Sequence, residues 1–225
     1  ERQKVTVSLE KTIEKNDIFN IGNGDEMKNI SFGLFAAEEL VSASGTSIPA
    51  DGLIEIISLS ENGKAVIKTE IPFGSYYVKE LATDEHYILS DAKYPFTFNY
   101  AGQDAANVEI AVNDGKAIEN KLIYGSVSGK KITENGEALG GAVIGLFKAD
   151  ETEFTKENAL MTATSENDGS FSFDKVPYGN WLVKEIEQPE GFVLDETSYE
   201  VKISEVGQVI EVEIVNEYVH GNQVD

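Results

Sequence analysis

Cysteine is absent from the 225 residues. That removes disulfides, thiol catalysis and cysteine-ligated zinc together. Basic residues are scarce: 18 Lys and Arg stand against 40 Asp and Glu, a formal charge of −22. Nucleic acid and anionic membranes reward basic patches, so neither is expected as a partner. Only two histidines occur, His86 and His220, isolated in a loop and a tail, so no metal site is expected. Asn23, Asp25 and Glu26 could touch calcium, but their spacing is not that of an EF-hand loop. No Ser/His/Asp arrangement stands out, and no cofactor motif is present. No apolar run approaches the length of a membrane span, so no membrane insertion is expected in this fragment. Glu1 opens without a signal-peptide pattern and reads as the start of a mature or excised piece.

What remains is enough for a core. At 41% hydrophobic and 26% charged the chain is not a disordered tail. Its length suits one large or two modest domains. Apolar residues alternate with polar ones at period two in many short runs. Val5, Val7 and Leu9 form the first run, and Lys11 takes the next place on their face. Residues 12–29 read as a loop and 36–40 as a short helical turn. Ile30, Phe32 and Leu34 alternate, as do Tyr94, Phe96 and Phe98, and Val108, Ile110 and Val112. Asp114-Gly115 is a hairpin signal.

The pattern then restarts. Val127 and Gly129 share a face with Lys131. Ala142, Ile144 and Leu146 follow, then Tyr199, Val201 and Ile203. Val212 and Ile214 share a face with Asn216. Ser165-Glu-Asn167 echoes Ser60-Glu-Asn62. Tyr178-Gly-Asn-Trp-Leu-Val-Lys-Glu185 echoes Phe73-Gly-Ser-Tyr-Tyr-Val-Lys-Glu80, at the same offset along the chain. This is a tandem repeat. The first copy spends its extra residues in two loops, which insertions favour. Short strands with Gly and Pro turns predict an all-β chain with one β-sandwich in each copy. The expected boundaries are 1–123 and 124–219, with 220–225 a disordered tail.

Three polar residues in each copy fall on strand faces that are otherwise apolar. They are Lys11, Glu80 and Asn120, then Lys131, Glu185 and Asn216. A buried charge is costly unless it is paired. Any one of these alone reads as a buried ion pair with an amide nearby. The same three types in the same order, twice, point to shared chemistry. Lys79, Lys130 and Lys184 lie on the opposite faces and are expected in solvent.

These residues carry a family resemblance. The lysine-ended first strand, the glutamate phrase, Pro189-Glu-Gly-Phe192 and the asparagine-ended last strand resemble the collagen-adhesin B-type repeat (CnaB, SpaA-like pilin) of Gram-positive surface proteins. The second copy fits closely, through Val127-Ser-Gly-Lys-Lys131, Gly169-Ser-Phe-Ser-Phe-Asp-Lys-Val-Pro177 and Val212-Glu-Ile-Val-Asn216. The first copy lacks the Pro-x-Gly turn and has Ala82-Thr-Asp-Glu-His86-Tyr87 there. The resemblance implies two Ig-like, prealbumin-like sandwiches. It also implies an intramolecular isopeptide bond in each. The lysine amine attacks the asparagine side-chain carbonyl, ammonia leaves, and the glutamate serves as the catalytic acid. An apolar site favours the neutral amine. A protonated carboxyl can donate to the amide oxygen and pass the proton to the leaving nitrogen.

The expected role is structural: a stalk or shaft segment of a secreted, wall-associated surface protein or pilin. Its partners would be neighbouring domains or pilin subunits. A second reading is an adhesin module whose loops 12–29 and 36–52 bind host matrix protein or glycan. An enzyme with turnover is not expected, since each cross-link forms once.

Overall fold

The computed structural model describes residues 3–42 and 44–221. It divides into two compact units, Glu1–Leu122 and Ile123–Asp225. Of the expected tail, residues 222–225 lie outside the described residues.

Among its described residues the first unit holds ten strands: β1 (Lys4–Ile13), β2 (Ser31–Ala36), β3 (Leu40–Val41), β4 (Ser47–Ile48), β5 (Leu53–Ser58), β6 (Lys64–Val66), β7 (Gly74–Ala82), β8 (Lys93–Phe98), β9 (Asn107–Ala111) and β10 (Ile118–Asn120). Strand β1 centres one sheet. It pairs antiparallel with β6 and parallel with β9 and then β10. The other sheet runs β5-β2-β7-β8, all antiparallel. Alternation sends Val7 and Leu9 of β1 inward against Phe32, Leu34, Tyr76 and Val78 of the second sheet. These side chains are almost wholly buried and make the core.

Three local expectations need correction. Residues 36–40 form no helical turn. The Ala36 N–H donates to Gly52 O and the Ala36 carbonyl accepts from Asp51, so neither is free for a helical bond. Leu40–Val41 instead pairs with Ser47–Ile48 as a two-stranded ribbon. Asp114-Gly115 does not turn a hairpin, because β9 and β10 both run parallel to β1. Asn113, Asp114 and Gly115 all take positive φ there and make a kink between two stretches of one edge. The expected loop 12–29 starts later, because Thr12 and Ile13 extend β1; residues 14–29 contain one isolated bridge, Asn16 to Ile21, and a 3-10 turn at Glu26–Asn29, with no strand among the described residues.

The second unit repeats the plan with fewer interruptions. Its strands are β11 (Tyr124–Thr133), β12 (Val143–Lys148), β13 (Met161–Thr164), β14 (Ser170–Pro177), β15 (Gly179–Glu187), β16 (Tyr199–Ile203) and β17 (Val209–Asn216). One sheet is β14-β11-β17, the other β13-β12-β15-β16. Strand β17 runs parallel to β11 without a break, from Ser126 opposite Val209 to Thr133 opposite Asn216. Between the sheets lie Val127, Ile144, Leu146, Phe173, Val183, Val201 and Ile214, each at most 1% exposed. Each copy is therefore an all-β sandwich, with its first and last strands side by side and parallel. No helix among the described residues is long and apolar enough to cross a membrane.

Because the second core closes on its own residues, residues 124–219 expressed alone should unfold in one cooperative transition. In that fragment Ile144→Ala should cost about 2–5 kcal/mol in a denaturant titration, the usual range for a large-to-small change in a packed core. A broad transition, or a loss well under 1 kcal/mol, would count against an independent core.

Candidate functional site

Each lysine and its asparagine sit on neighbouring parallel strands. Lys11 lies opposite Ile118, and Asn120 lies opposite Ile13. Lys131 lies opposite Ile214, and Asn216 lies opposite Thr133. Lysine and asparagine are thus offset by two residues, which puts both side chains on the inward face. The glutamate comes from the other sheet, where Glu80 pairs with Phe32 and Glu185 with Ile144. All six residues are at most 2% exposed. The sequence placed all six on inward faces, and the two sheets bring them together as two separate triads.

In the second domain Asn216 Nδ2 donates to Glu185 Oε2 at 2.7 Å and to the Val193 carbonyl at 2.8 Å. A carbonyl only accepts, so this contact fixes the amide with its nitrogen on the glutamate. Glu185 Oε2 also accepts from the Asp195 N–H at 2.8 Å. Lys131 Nζ stands 3.7 Å from Glu185 Oε1, an ion-pair distance that is too long for a hydrogen bond. Lys131 donates to the Ile214 carbonyl at 3.3 Å. One carboxylate therefore lies against the amine with one oxygen and against the amide nitrogen with the other.

The first domain repeats the glutamate–amide contact, but its lysine forms no ion pair with the glutamate. Asn120 Nδ2 donates to Glu80 Oε1 at 3.0 Å and to Thr83 Oγ1 at 2.9 Å. The Ser90 N–H donates to Glu80 Oε1 at 3.1 Å. Lys11 Nζ donates to the carbonyls of Thr12 and Ile118 at 2.9 and 3.0 Å. A neutral amine that gives two hydrogens to carbonyls keeps its lone pair free. Among the described residues, four buried side-chain oxygens lack a hydrogen-bond partner: Glu80 Oε2, Asn120 Oδ1, Glu185 Oε1 and Asn216 Oδ1. All four belong to the triads. Unsatisfied buried polar atoms cost free energy, so each triad carries a penalty that its own hydrogen bonds do not offset.

Burial governs the electrostatics. It pulls the Lys11 amine down to about 8, while Glu80 and then Glu119 pull it back upward. Burial likewise lowers Lys131 against the pull of Glu185 and Asp195. The alternative lysines are elsewhere: Lys130 is exposed, Lys79 is half-buried, and Lys184 lies over the Phe154 ring and donates to the Glu196 carbonyl.

Several contributors were not read from the sequence. Gly63 and Gly169 close the Ser-Glu-Asn turns with positive φ, and each carbonyl accepts the N–H of its domain's lysine at 2.7 Å. A Cβ at either glycine would collide with that lysine's carbonyl oxygen. The recurring Ser-Glu-Asn phrase was the available signal. In the first domain the missing Pro-x-Gly turn is replaced by Asp84, whose carboxylate accepts from the His86 N–H and meets the His86 ring. His86 is thus not isolated. The N–H groups of Gly22 and Gly24 donate to the two carboxylate oxygens of Glu26. No cluster of metal-ligating residues occurs among the described residues.

Two prealbumin-like sandwiches define the class of protein. The SpaA prealbumin-like fold domain matches residues 10–116 and 125–218, and the chain belongs to that family. The first match ends before the kink-displaced β10 and its asparagine. The trypsin-resistant surface T6 protein of Streptococcus pyogenes serotype M6 is 28% identical over 135 residues, which cover 58% of this chain and 23% of that protein. The chain thus spans about a quarter of that relative's length. Among solved structures, the Bacillus anthracis TIE protein aligns with TM-score 0.66 at 18% identity over 97% of this chain and 34% of its own. A C-terminal fragment of the pilus adhesin SpaC from Lactobacillus rhamnosus GG gives 0.60 at 13% identity, over 99% and 100%. These structures share the fold.

The lowered lysine has a consequence for folding stability. Between about 8 and the ordinary lysine value of 10.5 the unfolded chain holds a proton that the folded chain lacks. Folding stability must then rise with pH across that window and carry its full penalty below it. Asn120→Ala, which leaves Lys11 free, should gain stability in the first domain from pH 8 to 10. Adding Lys11→Met should remove that part of the slope. Parallel slopes in the two variants would contradict the burial of the amine.

Proposed function

We propose that this chain is a structural segment of a Gram-positive cell-surface protein or pilus, stapled in each domain by an isopeptide bond, Lys11 to Asn120 and Lys131 to Asn216. The observation that carries this reading is the bridging carboxylate. In the second domain Glu185 faces the Lys131 amine with one oxygen and the amide nitrogen of Asn216 with the other. The lysine nitrogen attacks Cγ of the asparagine, and the Cγ–Nδ2 bond breaks. Before the attack the lysine ammonium gives one proton to the glutamate carboxylate, which frees the nitrogen lone pair, and the nitrogen sheds a second on forming the amide. Glutamate passes one to Nδ2, which completes ammonia, and the second leaves with it as ammonium. We assign Glu80 the same role for Lys11 and Asn120, supported by its contact with Asn120 Nδ2 and its pull on the Lys11 amine. Folding supplies the high effective concentration, so no separate enzyme is needed. The reaction happens once per domain and is not turnover.

A stalk is served by such a bond. The cross-link joins first and last strands, which run parallel, so tension between the two ends of a domain follows a covalent path. By loop entropy, closing about 100 residues contributes about 4.7 kcal/mol at room temperature. Relatives support a surface setting: one is a streptococcal surface protein and another a pilus adhesin fragment. Export, wall association and assembly with neighbouring domains or pilin subunits follow from that reading.

Intact mass is the test. The wild type should fall short of its sequence mass by two ammonia. Lys131→Ala and Glu185→Ala should each restore one. Glu185→Ala should also lower the melting temperature of the second domain by more than 10 °C, at about 4–8 °C per kcal/mol for a domain of this size. A wild type at full sequence mass, melting where Glu185→Ala melts, would leave the triads as buried polar clusters only.

A further inference from the structure

One side chain outside the triads recurs at the same place in both domains. Glu14 follows Lys11, and Glu134 follows Lys131, at equal spacing. The Glu14 N–H donates to the Asn120 carbonyl at 2.9 Å, and the Glu134 N–H to the Asn216 carbonyl at 3.0 Å. Their carboxylates then reach past the asparagine. Glu14 Oε1 accepts from the Leu122 N–H at 2.9 Å, and Glu134 Oε1 from the Tyr218 N–H at 3.0 Å. Each glutamate grips the backbone at the asparagine and again two residues beyond it.

The grip falls where the ladder stops. The parallel pairing of β1 with β10 ends at Ile13 opposite Asn120, and that of β11 with β17 ends at Thr133 opposite Asn216. A strand end is the first part of a ladder to fray. The reacting amide hangs from that last pair. Small shifts of it move Cγ away from the lysine amine, and a misplacement of about 1 Å can cost about 100-fold in rate. The carboxylate acts as a substitute strand: it supplies the acceptor that the ladder no longer offers. A carboxylate accepting from an N–H makes a stronger bond than a neutral acceptor does. In the first domain the Tyr87 hydroxyl also donates to the Glu14 carbonyl at 2.8 Å, which fixes the clamp from the far side.

We propose that Glu14 and Glu134 are positioning residues for cross-linking: they clamp the backbone on both sides of Asn120 and Asn216 and so hold each amide carbon in the path of its lysine. The inference rests on the isopeptide reading above. Neither glutamate is one of the triad carboxylates. Both act through the asparagine backbone.

The test follows bond formation in newly made protein. The full chain carrying Lys11→Ala is synthesised in a cell-free translation system, so that only the second bond reports. Samples are stopped in acid at intervals, and the fraction that has lost ammonia is read by intact mass across a range of pH. Adding Glu134→Ala should slow ammonia loss about tenfold or more at the pH plateau, with the midpoint of the profile unmoved. Glu134→Gln keeps an acceptor oxygen at the same reach and should react within about twofold of the parent. Glu134→Asp keeps the charge but falls short of the Tyr218 N–H and should be slow. An unchanged rate in Glu134→Ala overturns the clamp, and so does a Gln variant as slow as Ala. A shifted midpoint would mean that the site has opened to water, which overturns a positioning role in favour of general loosening. Should Glu134→Ala fail to fold, judged by circular dichroism, Gln and Asp decide: fast Gln with slow Asp supports the clamp, and any other order overturns it. A parent that never loses ammonia overturns the cross-linking reading itself, and the clamp with it.

Discussion

A lysine amine held away from water is the constraint on which the rest of this molecule depends. Hydrating an ammonium is strongly favourable, and a core of Val, Phe and Tyr offers nothing equal in return. The two sandwiches meet this cost in the same way. Main-chain carbonyls accept from the amine, and a carboxylate on the facing sheet offsets its charge. Burial still wins, and the amine is shifted toward its neutral form. A neutral buried amine is a nucleophile, so the energetic liability and the proposed chemistry have one cause.

The topology follows from the same need. A side chain on the first strand can meet one on the last only if those strands are neighbours and their residues share a face. Parallel pairing of β1 with β10, and of β11 with β17, satisfies both conditions with a common two-residue offset. The facing sheet must then present a carboxylate at the same depth. Residues downstream fold back to hold it: the N–H of Ser90 reaches Glu80, and that of Asp195 reaches Glu185. These two donors stand at equal spacing from their glutamates, although the intervening turns differ in sequence. The turn in one domain uses Pro189 and Gly191, and in the other an aspartate side chain. Local chemistry was free to diverge as long as the returning N–H arrived at the carboxylate.

The two domains differ most at the edge that carries the asparagine. In the second the strand is continuous. In the first it is broken by three successive residues at positive φ, and a short β10 resumes the pairing. The first family match ends at residue 116, before the asparagine-bearing β10. The partner of the amide also differs. A threonine hydroxyl can donate or accept, whereas the Val193 carbonyl can only accept, so the second amide is the more firmly oriented.

Period-two alternation made the strands legible, because a half-buried strand writes its inward face into the sequence directly. Duplication made the polar exceptions legible: Lys131, Glu185 and Asn216 repeat Lys11, Glu80 and Asn120. Turn signals were less reliable. Asp114-Gly115 favours positive φ, and the sequence alone determined that much. Whether the chain then doubles back or continues along β1 was settled by pairing partners more than a hundred residues away. The same holds for residues 36–40, where backbone bonds to 51 and 52 displaced a local preference. The roles of Gly63 and Gly169, of Thr83, and of Glu14 and Glu134 are contacts between segments distant in the chain. Such contacts have no period and no local propensity to record them. The residue types and their faces were a property of the sequence; which oxygen meets which nitrogen was decided only when the two sheets closed.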